Sequence, residues 1–108
     1  MLSTHVLDTS TGRPAAGIAV GLFALGDGAV AVAAAITNAD GRTDAPLAAT
    51  LEAGIYELRF AVAPYFAARR VPAFYDEITV RFRIDAPGEK VHVPLLLAPW
   101  GYSTYRGS

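Results

Sequence analysis

Ile78-Thr79-Val80-Arg81-Phe82-Arg83-Ile84-Asp85 decides the fold class, because apolar and polar residues alternate through it without a break. Successive side chains of an extended strand point to opposite faces, so a period of two makes a strand with one buried and one solvated face. Upstream, Tyr56, Leu58, Phe60 and Val62 alternate with Glu57, Arg59 and Ala61 in the same way. Further back, Ile18 to Leu25 and Ala29 to Ile36 are apolar on both faces. That predicts for each either cover on both sides or a place at an interface. Val6-Leu7-Asp8 opens a first strand, and Val91 to Leu97 and Gly101 to Arg106 read as the last two.

Turn chemistry falls between these runs, at Thr11-Gly12-Arg13-Pro14, Gly26-Asp27-Gly28, Asn38-Ala39-Asp40-Gly41 and Asp85-Ala86-Pro87-Gly88. Short strands punctuated in this way predict an all-β antiparallel sandwich and not a βαβ fold. One stretch departs from the pattern. Pro64-Tyr65-Phe66-Ala67-Ala68-Arg69-Arg70 carries proline at a possible first helical position and basic residues at its end, with Pro72 beyond. A helix of one or two turns is predicted over Tyr65 to Arg70.

The 108 residues make a single domain, spanning 1–108. Hydrophobic residues make up 53%, above the usual ~45–50%. The surplus points to apolar surface reserved for other subunits, although much of it is alanine. Nine basic and ten acidic residues leave a formal net charge of −1, which gives no pull toward nucleic acid or an anionic membrane. Without cysteine there is no disulfide framework, thiolate nucleophile or zinc–thiolate site. Two histidines alone do not close a structural zinc site. The start, Met1-Leu2-Ser3-Thr4-His5, lacks the basic residues and apolar run of a signal peptide. The longest apolar run, Ala29 to Ile36, falls far short of the ~20 residues of a membrane span. A cytoplasmic protein is expected.

The chemistry-bearing candidates are few. His5 and His92 are the only histidines, each inside a segment that reads as strand. Either each is a partly buried ring satisfied by a backbone carbonyl, or the two meet across neighbouring strands, where an ordinary pKa of ~6.5 suits proton transfer near neutrality. Arg42 lies in the loop Asp40-Gly41-Arg42-Thr43-Asp44. It is either solvated and paired with one of those aspartates, or a planar donor fork for an anionic, carbonyl-rich ligand. The segment Tyr102-Ser103-Thr104-Tyr105-Arg106-Gly107-Ser108 gathers aromatic, cationic and hydroxyl groups as a ligand surface would, or as an aromatic edge strand would. Asp8, Asp76 and Glu77 show no acid/base spacing, and there is no Gly-rich phosphate loop and no Gly-x-Ser-x-Gly elbow.

Longer motifs narrow these alternatives. Leu2-Ser3-Thr4-His5-Val6-Leu7-Asp8, followed by Gly12-Arg13-Pro14-Ala15, resembles the N-terminal signature of the transthyretin-like 5-hydroxyisourate hydrolases. The ending, from His92-Val93-Pro94-Leu95 through Ala98-Pro99-Trp100-Gly101 to Tyr105-Arg106-Gly107-Ser108, resembles that family's C-terminal signature nearly throughout. Asn38-Ala39-Asp40-Gly41-Arg42 matches in the centre. Departures are small: Val91 stands where an aromatic often precedes the histidine, and Ala98 and Trp100 replace commoner serine and tyrosine or phenylalanine.

The resemblance implies a transthyretin-like sandwich of two four-stranded sheets, about eight strands in all, with a short helix after the fifth. It implies a homotetramer, a dimer of dimers, with substrate in clefts of a central channel at the dimer–dimer interface. Carried over by position, the catalytic set is His5 on the first strand, Arg42 after the third, His92 on the seventh, and Ser108. Those residues together with Tyr105, Arg106 and Gly107 make the substrate contacts. The implied reaction is water addition to a ring carbonyl of 5-hydroxyisourate, with one histidine as base, Arg42 holding substrate oxygens, and no metal or cofactor. Two other classes share the architecture. A small-molecule carrier of the hormone-transporting transthyretin type lacks both site histidines and the terminal Tyr-Arg-Gly-Ser, and a structural sandwich module needs neither motif.

Overall fold

The computed structural model describes residues 1–108. Two four-stranded sheets pack face to face, and the alternation in each strand decides what lies between them. Sheet A has the order β2-β1-β7-β8, from β1 (Leu2–Asp8), β2 (Arg13–Pro14), β7 (Val91–Ala98) and β8 (Gly101–Thr104). Sheet B has the order β4-β3-β5-β6, from β3 (Ala19–Leu25), β4 (Ala29–Ile36), β5 (Gly54–Ala61) and β6 (Glu77–Ile84). From sheet A, Leu2, Val6, Val93, Leu95 and Leu97 point inward, and they meet Leu22, Leu58, Phe60, Ile78 and Ile84 of sheet B in one buried cluster. The expected transthyretin-like architecture of eight strands with one helix after the fifth is the one observed.

Several details differ from the sequence reading. The first strand starts at Leu2, so His5 lies inside it. β1 pairs with β7 in parallel, the one exception among otherwise antiparallel pairings. Arg13–Pro14, expected as turn, forms a two-residue strand against Leu7 and Asp8, too short to show any period. Arg42 consequently follows β4, not a third strand. β8 ends at Thr104, and beyond it only an isolated bridge joins Gly107 to His92. Within one chain β4 is an uncovered edge strand, with Val30 and Ile36 each 66% exposed.

The helix α1 runs from Val62 to Ala68, earlier than expected. Pro64 sits inside its first turn, where N–H groups have no intrahelical partner and a missing one costs nothing. Arg70, at φ 58°, ends the helix. Its N–H donates to the Ala67 carbonyl, and that of Val71 donates to Phe66, the crossed pair that closes helices at a left-handed residue. Tyr65 then carries its hydroxyl to the carboxylate of Asp8 at 2.8 Å, tying α1 to the end of β1.

Candidate active site

On β1 the residues Leu2, Thr4, Val6 and Asp8 are buried in the sandwich, so Ser3, His5 and Leu7 face outward. On β7, Val91 and Val93 point inward and His92 outward. The parallel register sets Ser3 beside His92 and His5 beside Pro94. Both histidines are therefore diagonal neighbours on one outer face of sheet A. Each ring is half-buried.

Arg42 reaches this face through a turn the local sequence requires. The Asn38 side-chain oxygen accepts from the N–H groups of Asp40 and Arg42, folding the loop back on itself. Gly41, at φ 72°, completes the reversal, and a Cβ there would run into the Val6 carbonyl. Only glycine combines that backbone with that approach. The Val6 N–H donates to the Gly41 carbonyl at 2.8 Å, docking the loop on β1 and setting Arg42 opposite His5 in an isolated bridge. The Arg42 guanidinium is exposed and makes no ion pair with Asp40 or Asp44; Asp44 accepts from Asn38 instead.

The chain end arrives from the other side. The Gly107 N–H donates to the His92 carbonyl at 2.7 Å. A Cβ on Gly107 would lie 2.5 Å from Cδ2 of the His92 ring, so glycine is what lets the terminal segment lie against that imidazole. Ser108 is exposed beside it. Tyr105 and Arg106 go elsewhere within the chain. Arg106 pairs with Glu89 at 2.6 Å. Both residues line a cavity of about 260 Å³ between the free edges of β6 and β8, together with Phe82, Val91 and Thr104. The structure thus gathers His5, Arg42, His92 and Gly107, and sets Tyr105 and Arg106 at the sheet edge.

The electrostatics of the gathered set favour neutral imidazoles. Burial lowers the pKa of His5 below its ordinary value, and the Arg42 charge adds to this, while the Asp40 backbone and carboxylate pull upward. His92 is lowered by burial, then by Arg42 and by His5, while hydrogen bonding to the Ser3 backbone pulls upward. Rings held neutral near pH 7 can accept a proton, and an unpaired guanidinium beside them can receive a developing negative charge. No group of three or more His, Asp or Glu side chains stands close enough to hold a metal ion. No helix is long and apolar enough to cross a membrane.

One member of this face escaped sequence reasoning. The Ser3 Oγ lies 2.8 Å from Nδ1 of His92, and Ser3 shares a small cavity of about 140 Å³ with Arg42. The period-two alternation with His5 was the signal that marks it.

A family model described as HIUase/Transthyretin family matches residues 2–107. A 5-hydroxyisourate hydrolase of Deinococcus radiodurans is 51% identical, over 99% of this chain and 95% of its own. The solved structure of Klebsiella pneumoniae 5-hydroxyisourate hydrolase superposes with a TM-score of 0.85 at 42% identity, covering 99% of this chain and 98% of the other. Transthyretin from Sparus aurata superposes with a TM-score of 0.90 at 26% identity, over 98% and 95%.

Proposed function

The chain belongs to the HIUase/transthyretin family, and we propose that it hydrolyses 5-hydroxyisourate to 2-oxo-4-hydroxy-4-carboxy-5-ureidoimidazoline. Fold alone does not separate hydrolase from carrier, since a transthyretin superposes as well as a hydrolase does. The observation that carries the reading is the convergence of two neutral histidines and one unpaired arginine on a single outer face, with Gly107 laid against His92.

In this reading water adds to an electron-poor ring carbonyl and the cyclic amide C–N bond then breaks. A neutral histidine takes the proton from water, a role worth about 10²–10⁴ in rate. Arg42 holds the substrate oxygens and the developing oxyanion with its donor fork. The loss of one such donor costs about 10²–10³. The substrate carbonyl needs no metal to be attacked. Ser108 and Gly107 complete the cleft, whereas Tyr105 and Arg106, which stand at the sheet edge within one chain, would reach substrate only where a second chain brings that edge to the face.

Within one chain the His5–His92 face is open. A homotetramer, a dimer of dimers that turns this face of sheet A toward its counterpart, would close it into a cleft. The 53% hydrophobic content and the bare edge of β4 support assembly. A cytoplasmic setting belongs to the same reading. Freshly prepared 5-hydroxyisourate, followed by ultraviolet absorbance, should decay much faster with protein than without. Decay at the spontaneous rate would sink the hydrolase reading. Light scattering should report a tetramer at micromolar concentration, and a monomer that is active would remove the proposed interfacial cleft.

A further inference from the structure

We propose that Lys90 forms an anion subsite at the His92 end of the cleft and takes the carboxylate that ring opening creates. The identity of that anion rests on the hydrolase reading; the placement of the cation does not. The Val91 N–H donates to the Met1 carbonyl at 2.8 Å, which fixes the start of β7 against the start of β1. Val91 and Val93 point into the core, so the alternation carried back by one residue puts Lys90 on the outer side with His92. Two residues of extended chain span about 7 Å, within the reach of a lysine stem. The Lys90 charge is felt at the His92 ring, where it disfavours the imidazolium. Lys90 is exposed and takes part in no ion pair. Its neighbour Glu89 is taken up by Arg106 and turns to the cavity between β6 and β8.

Arg42 stands opposite His5 and Lys90 lies beyond His92, so the imidazole pair sits between two unpaired cations. The two ends differ in what offsets the charge. His5 has the Asp40 carboxylate beside it. The groups that act on His92 through charge are Arg42, His5 and Lys90, and none of them is acidic. Hydrolysis changes the charge of the ligand. Water gives its oxygen to the ring carbonyl carbon, the C–N bond breaks, and the nitrogen leaves with a proton. The carbon becomes a carboxylic acid, which is ionised near neutrality. A planar fork such as Arg42 suits carbonyl oxygens held in one plane. A compact ammonium on a flexible stem suits a carboxylate that swings away as the ring opens.

The test compares orotate, a planar carbonyl-rich ring that bears a carboxylate, with uracil, the same ring without it. Each is titrated into the assembled protein at low salt and followed by proton–carbon correlation of the imidazole rings. Those signals give the affinity and show which histidine feels the ligand. Orotate should bind about three- to fivefold more tightly than uracil, the scale of an exposed ion pair, and should shift His92 more than His5. The preference should shrink as salt is raised, vanish in Lys90→Gln and persist in Lys90→Arg. In an active protein orotate should inhibit hydrolysis competitively, with an inhibition constant that rises by the same factor in Lys90→Gln. Equal binding of the two rings, or no binding of orotate, would overturn the proposal. So would a preference untouched by Lys90→Gln, one lost in Lys90→Arg, or inhibition that is not competitive. The binding is read without turnover. A protein with the Lys90-dependent preference that leaves 5-hydroxyisourate to decay spontaneously would therefore overturn the proposed function and not the anion subsite.

Discussion

The two outer faces of this sandwich each carry a polar cluster built on adjacent strands, and the clusters differ in whether their charges are paired. On sheet B, Glu57 of β5 accepts from Arg59 on its own strand and from Arg81 on β6, at 3.1 and 2.7 Å. The Arg59 guanidinium also lies 3.9 Å over the Phe23 ring. Between them they cover Glu57 so well that it is only 5% exposed, although alternation assigns it to a solvated face. On sheet A, Arg42 has no carboxylate, the two imidazoles are held neutral, and the one side-chain hydrogen bond among Ser3, His5 and His92 joins Ser3 to His92. A cluster whose charges are satisfied internally holds strands in register. A cluster that leaves a fixed cation and two neutral imidazoles without a charged partner is arranged for something that arrives from outside.

The comparison breaks first if the histidines prove dispensable. His5→Asn and His92→Asn should each lower turnover by at least about 10²-fold. Circular dichroism and scattering should show fold and assembly unchanged, because neither ring contributes to the buried cluster. A variant that kept near-full turnover would return its histidine to a structural role.

Arg42 sharpens the contrast through two separate readouts. Arg42→Gln should cost about 10²–10³ in kcat/KM through loss of the donor fork. The same charge also lowers the pKa of both histidines, so its removal should let both rise. In the unchanged protein, turnover should persist as pH falls to the ordinary histidine value of about 6.5 and fail only below it. In Arg42→Gln the acid limb should move to higher pH. A limb that stayed put would mean the titrating group is not one of these rings.

Gly107→Ala tests the approach of the chain end. The added Cβ must displace the His92 ring, which it would otherwise meet at 2.5 Å. Turnover should fall by about tenfold, since misplacing one positioned group costs that much or more. Thermal stability should barely move, because Gly107 lies outside the core. Equal losses of stability and activity would mean the contact is packing.

Why these residues were legible in the sequence and others were not follows from what a period can carry. Ile78 to Ile84 and Tyr56 to Phe60 alternate because both strands have one face in the core, so their placement needs no partner. Two residues at Arg13–Pro14 have no period to read. α1 begins at Val62 because its first N–H groups find partners outside the helix, such as Ala63 donating to the Asp76 carbonyl, and local sequence does not record that. His5, His92 and the Gly41–Arg42 turn stand out by residue type. Ser3 does not, because a serine gains its meaning from a register partner 89 residues away. Glu57 is the converse case: alternation gives its direction correctly but not the two arginines that close over it.

The smallest effect on turnover should come from sheet B, and it is the control on which the contrast depends. Glu57→Gln keeps the shape but removes the charge that both arginines share. The hydrogen bonds from Arg81, against the opposing effect of burial, and then those from Arg59, hold the Glu57 carboxyl below the usual range. The folded state thus favours the charged form more than the unfolded state does, so its contribution is present above the ordinary carboxylate pKa and disappears as pH falls through the depressed value. Glu57→Gln should therefore lower the thermal midpoint near neutrality, and the gap from the unchanged protein should close in strong acid. Turnover should stay where it is, since Glu57 lies on the far face of the sandwich from His5 and His92. If Glu57→Gln cut turnover as deeply as Gly107→Ala, the two faces would be coupled through the core and the division between a paired, structural cluster and an unpaired, reactive one would fail.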